Sequence, residues 1–283
     1  MVITKEIFEA HVPSAKMPER NTSVHERLTH FFEISAFHLV SEIVSPALSS
    51  LIEDDGELHV PAQRFVCLDA FLRVIRSLDL VLTATGFGIV STESTAPASR
   101  ARVDALAEEI ATQRLQVVEI LVDRLRLKEG WSVSPQAIMR IPSFFFRPSS
   151  LPLVCGLSLT QDNWHLALQR ALLADAHICR VISRELFNDI LQRLRADSLS
   201  VPEQELVNRC MKFYAFFIPL DETSNTQHPS TITQTPKILL DDVLAYVESN
   251  IDSFPVYAQS SLYKARHAER YENQPFDPTF FFM

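Results

Sequence analysis

Apolar positions recur along this chain at helical spacing, and the runs are separated by short polar or proline-marked breaks. Between residues 23 and 52, Leu28, Phe31, Phe32, Ile34, Leu39, Ile43 and Val44 fall near the 3.6-residue period of one buried helix face. Thr22 or Ser23 supplies a cap, Glu26 completes a capping box from Ser23, and Pro46 bends or divides the helix. Asp54-Asp55-Gly56 ends it, and Pro61 starts a second helix over 61–77 at its first turn. From Leu78 to Val90 the period changes. Leu80, Leu82, Phe87 and Ile89 flank Thr83-Ala84-Thr85-Gly86, a pattern that predicts a β-hairpin at about 78–90. Pro97 and Ser99 then open a third helix running to about Lys128.

The plan recurs. Helices are expected at about 162–195, 202–218, 237–250 and 259–271, with a break at Ser253-Phe254-Pro255. The polar Pro219–Pro236 stretch stands where the hairpin stood and reads as a long loop or an imperfect hairpin. Four sequence anchors match in order. Val60-Pro61-Ala62-Gln63-Arg64-Phe65-Val66 and Val201-Pro202-Glu203-Gln204-Glu205-Leu206-Val207 share V-P-x-Q-x-[FL]-V at an offset of 141. Ala36-Phe37-His38-Leu39 pairs with Asp175-Ala176-His177-Ile178, and Pro97 with Pro236, both at 139. Pro142-Ser143-Phe144-Phe145-Phe146 pairs with Pro278-Thr279-Phe280-Phe281-Phe282 at 136. Fixed-period self-similarity is the mark of duplicated units. The expected fold is therefore mainly α, two tandem copies of a small helical-bundle domain with a β-hairpin in the first. Residues 1–147 form the first repeat, 148–159 a linker, and 160–283 the second repeat with an aromatic C-terminal tail. The proline-marked stretch 130–160 carries the connection.

Composition narrows the function classes. The net charge of −9 disfavours direct, sequence-specific nucleic-acid binding, which draws its affinity from Lys and Arg on phosphates. No run of 18 apolar residues suggests a membrane span, and the first residues carry no secretory signal. The four cysteines form no Cys-x-x-Cys pair, and Cys67, Cys179 and Cys210 sit in apolar helical patterns as small hydrophobes, which points to a reducing compartment. His38 and His177 share a repeat position without a shared carboxylate or cysteine at metal-binding spacing, so both read as satisfied helix-face histidines. Gly86-Phe87-Gly88 lies in extended sequence and reads as a turn, not a phosphate loop. Arg100, Arg102, Arg114, Arg124 and Arg126, interspersed with Glu108, Glu109, Glu119 and Asp123, read as a solvated, salt-bridged helix face. No catalytic, cofactor-binding or metal residue is assigned, and no cofactor is expected. The 19 phenylalanines include triplets at 144–146 and 280–282, which pack into their own domain or insert into a neighbour.

Four stretches resemble an uncharacterised structural protein family of Bacteroidetes phages and prophages. They are Asp79–Ser91 (D-L-V-L-T-A-T-G-F-G-I-V-S), Ala96-Pro97-Ala98-Ser99-Arg100 with Arg102-Val103, Ser253-Phe254-Pro255-Val256-Tyr257 with Ser260 and Tyr263, and Pro278–Phe282. That family's helical plan is similar to that of head–tail connector proteins. The resemblance implies a non-enzymatic virion subunit, in the bacterial cytoplasm before assembly, that contacts copies of itself and neighbours such as portal or tail components. Candidate interaction residues are Thr85, Gly86, Phe87, Gly88, Phe280, Phe281 and Phe282. The alternative is a soluble cytoplasmic protein-binding module using a groove between the copies.

Overall fold

The computed structural model describes residues 1–13, 24–78, 80–83, 86–89, 99–219 and 236–268. Among these, thirteen α-helices account for most of the chain, so the fold is mainly α. A short helix, α1 (Lys5–His11), is capped by Thr4 and buries Phe8. Helix α2 (Val24–Leu39) continues into a π turn at Val40–Val44, and Ser45 then adopts φ 98° before the 3₁₀ turn Pro46–Leu48. The helix expected over 23–52 is divided at Pro46, as the sequence suggested: the π turn widens the ladder and Ser45 reverses the backbone just ahead of it. After α3 (Leu51–Asp54) comes α4 (Gly56–Val74).

Pro61 does not start that second helix. The Asp55 side chain accepts from the Glu57 N–H and nucleates the helix at Gly56, leaving Pro61 inside it. A cap residue six positions upstream outweighs the N1 preference of proline, since it satisfies an otherwise orphaned donor. Leu80–Thr83 and Gly86–Ile89 pair antiparallel as β1 and β2, with Leu82 opposite Phe87. Helix α5 (Arg100–Leu125) follows, then α6 (Pro135–Arg140) and α7 (Ser150–Cys155).

The second half opens with α8 (Gln161–Ile182) and α9 (Arg184–Arg195), separated by Ser183 at φ 72°, where one helix over 162–195 was expected. Helix α10 (Val201–Phe217) begins at a capping box formed by Ser200 and Glu203 with Pro202 in the first turn. It is followed by α11 (Pro236–Ser249), α12 (Pro255–Gln259) and α13 (Ser261–Arg266). The Pro219–Pro236 loop falls almost entirely outside the described residues; the helix expected over 259–271 is the shorter α13, which starts after the Ser260 cap and ends at Arg266 with His267 as its C-cap.

One hydrophobic core runs through both halves, from Phe8 to Tyr257. The proline-marked connection is part of it. Trp131, Phe144, Phe145 and Leu151 are fully buried, and the Trp131 indole N–H donates to the Ile43 carbonyl at 2.9 Å. Helix α2 packs on α4 and α4 on α5, while α8 packs on α10 and α10 on α11. No single helix among the described residues is long and apolar enough to cross a membrane.

Candidate cleft and two buried carboxylates

Where the halves meet, α2 with its π turn, α4, α5, α6 and α8 line a cleft of about 190 Å³. Phe65, Met139, Phe146 and Trp164 supply apolar walls, and His38, Glu42, Arg114 and Arg140 supply charge. The charged groups face each other. His38 Nε2 lies 2.7 Å from Glu42, and Arg140 reaches Glu42 at 3.1 Å. The other ring nitrogen of His38 lies 3.1 Å from Arg73.

Behind them sits Asp69, fully buried on α4. It accepts from Ser35 of α2 at 2.8 Å, from Arg73 at 3.0 Å, and from Arg114 of α5. Burial alone pushes this carboxyl up. The hydrogen bonds from Ser35 and Arg114, with the Arg114 charge and Arg73, outweigh burial and hold it below its usual range. Burial likewise pushes the Arg140 guanidinium below its usual range, opposed by Glu42 and reinforced by Arg114.

The second half buries Asp175, on α8. It accepts from Ser143 at 3.1 Å and from the Tyr214 hydroxyl, and its Oδ2 finds no hydrogen-bond partner. Among the described residues no cation pairs with it. Burial pushes its carboxyl up to about 7, against the two hydrogen bonds that lower it, and burial pushes Tyr214 well above its usual value.

The arginines read in sequence as one solvated face separate here. Arg114 points at Asp69. Arg126 is buried, donating to the Leu194 carbonyl at 2.7 Å and pairing with Asp197 at 2.8 Å, with its guanidinium 5.4 Å from the Phe146 ring centroid. The helix period places both on inward positions, but only the neighbouring helices supply the buried acceptors. Asp69 and Asp175 were also missed. A usable signal existed: Asp69 stands in the apolar run Val66-Cys67-Leu68-Asp69-Ala70-Phe71, and Asp175 falls four after Ala171 and three before Ile178.

His38 is bonded as just described, and His177 packs against Phe213 and Phe217. Burial pushes the Cys67 and Cys155 thiols up to about 12, Cys179 up to about 11, and Cys210 higher still. Among the described residues no cluster of three metal-ligating side chains occurs. Of the candidate interaction residues, Gly86, Phe87 and Gly88 lie in β2, between the cleft-lining Phe65 and Arg114 in sequence; Thr85, Phe280, Phe281 and Phe282 lie outside the described residues. The phenylalanine triplet at 144–146 packs inside the molecule, with Phe144 against Phe187 at 4.3 Å and Phe145 against Trp164 and Tyr214. No curated protein and no solved structure matches the chain. Residues 39–140, which carry Glu42, Asp69, Arg73, Arg114 and Arg140 but neither His38 nor the second half, match a family of unknown function, DUF6712.

Proposed function

We propose that the chain is a non-enzymatic structural subunit of a phage or phage-tail-like particle, a head–tail connector or adaptor that assembles with copies of itself and with portal or tail components. The observation that carries the reading is the D-L-V-L-T-A-T-G-F-G-I-V-S stretch, two paired strands set between the helices of a repeated helical plan. The chemistry of the interior is consistent with this role. The cleft's charges are paired with one another, and the raised thiols are poor nucleophiles, since the thiolate is the reactive species.

Duplication is part of the proposal, and one backbone feature supports it beyond the sequence anchors. Ser45 and Ser183, 138 positions apart, both have positive φ with extended ψ (98° and 136°, 72° and 152°). Each closes the first long helix of its half and begins the next helical turn. Positive φ is uncommon for a side-chain-bearing residue, so its recurrence at the repeat offset is a stronger match than another apolar position.

The test is native mass by light scattering, with negative-stain images of the protein alone and mixed with portal and tail proteins. Rings or co-assembly are expected, in the virion fraction of a producing culture. Deleting residues 84–88 should abolish neighbour contacts, and unaffected assembly would remove the hairpin from the mechanism. The second reading, a cytoplasmic protein-binding module, is favoured by the cleft between the halves. A stable monomer that ignores portal and tail proteins but retains a peptide in that cleft would select it.

A further inference from the structure

Each half covers the same face of its first long helix with an aromatic from the segment that precedes it. In the second half, Pro142–Phe146 does this. Phe145 sits 5.9 Å from Trp164 of α8 and 5.8 Å from Tyr214 of α10 (ring centroids), and Ser143 bonds Asp175. In the first half the N-terminal helix α1 does it. Phe8 is fully buried, 6.3 Å from His25, 5.7 Å from Phe32 and 6.1 Å from Phe71. His25 is the residue 139 before Trp164, so Phe8 and Phe145 rest on corresponding positions of the two halves.

Among the described residues there are two such grooves, each covered by one such segment, and the sequence holds a third candidate segment. The third is Pro278-Thr279-Phe280-Phe281-Phe282, which repeats Pro142-Ser143-Phe144-Phe145-Phe146 residue for residue apart from Ser to Thr. Both grooves of its own chain are filled. We propose that the groove between the start of α2 and the end of α4 receives the Pro278–Phe282 segment of a second copy of this chain, with α1 as its displaceable occupant. The segment after the first half docks on the second half within a chain; the segment after the second half docks on the first half of the next chain. A head-to-tail contact of this kind is heterologous and closes into a ring or continues as a filament. The inference rests on the preceding reading for two things, the duplication and the association of the chain with itself.

Sedimentation equilibrium on the full chain tests it. Phe8→Ala releases α1 and should strengthen self-association by about tenfold or more, since filling a groove with a competing segment lowers apparent affinity by the fraction of open sites. The triple variant F280A/F281A/F282A should lose association by roughly a hundredfold, in both the wild-type and the F8A background, because buried aromatic anchors dominate interface energy. A chain lacking residues 1–12, with helix content checked by circular dichroism, is the second opening variant and should behave as F8A does. Association unchanged by opening the groove, or undiminished by the triple variant, overturns the proposal. Tail-dependent association of a chain that ignores portal and tail proteins supports it and removes the connector reading. Portal-bound rings that survive the triple variant overturn it and leave the connector reading standing.

Discussion

Between its first and second long helices, each half of this protein buries one aspartate, and the two are neutralised by opposite means. Asp69 is surrounded by positive charge: Arg114 and Arg73 bond it directly, with His38 at 3.8 Å. Among the described residues, Asp175 has only the hydroxyls of Ser143 and Tyr214. A buried carboxylate needs either a counter-ion or a proton. The first half supplies ions and keeps Asp69 ionised; the second supplies none, and Asp175 takes up a proton near neutrality. The lesson is that burial sets the cost while the partner decides which protonation state bears it.

The comparison breaks most sharply at Asp69. Asp69→Ala leaves two guanidinium groups beside an empty site, and a loss of about 3–5 kcal/mol is expected in urea denaturation at pH 7. A loss under about 1 kcal/mol would mean that Asp69 is not a paired buried charge. Next in size is a pH effect of opposite sign in the two halves. The raised Asp175 carboxyl binds its proton more tightly folded than unfolded. Its stabilising contribution is complete below its ordinary value of 3.8 and is lost as pH rises toward about 7. That loss is on the order of a few kcal/mol. Asp69 is lowered, so its contribution is present above 3.8 and fades as pH falls below that value. Asp175→Asn, an isostere of the protonated acid, should flatten the wild-type decline between pH 4 and 7 in denaturation midpoints; Asp69→Asn should not.

Tyr214→Phe removes one of the two donors to Asp175 while preserving the packing on Phe145. It should cost about 1–3 kcal/mol at pH 8 and less at pH 5, where the protonated acid needs the donor less. Equal costs at both pH values would show that Asp175 does not change charge in that range. The smallest test compares the two strained serines. Ser45 makes no side-chain cap bond, so Ser45→Gly should stabilise by about 1 kcal/mol through relief of positive φ. Ser183 caps the Leu186 N–H at 3.2 Å, so Ser183→Gly gains the same relief and loses the cap, for a thermal midpoint near wild type.

Much of the architecture was legible because its causes are local. The amphipathic period announced the long helices, Ser99 and the expected start at 202 lay within a residue of the observed starts, and the change from period 3.6 to 2 marked the stretch that pairs as two strands. Helix boundaries were less legible where two local signals competed. At 55–61 an aspartate cap and a proline each had a claim, and the cap won. At 45 the neighbouring Pro46 gave the break away, whereas at 183 the break lies in a backbone turn on a serine, a residue type that carries no break signal by itself. The cleft was not legible at all. Arg114 and Arg126 sit on a helix whose pattern of Arg, Glu and Asp is that of a solvated face, and nothing within that helix reveals that Asp69 and the Leu194 carbonyl wait opposite.

The sequence by itself thus determined the helical class, the order of the elements and the repeated anchors, since spacing, caps and breakers act within a few residues. The tertiary structure alone decided which charges go inside, which aspartate keeps its proton, and that the apparent linker is core. Those outcomes depend on groups 30 to 100 positions apart, such as Ser35 with Asp69 and Trp131 with Ile43, brought together only when the helices pack. A side chain's charge cost is fixed by the dielectric and the partners around it, and neither exists until the fold has closed.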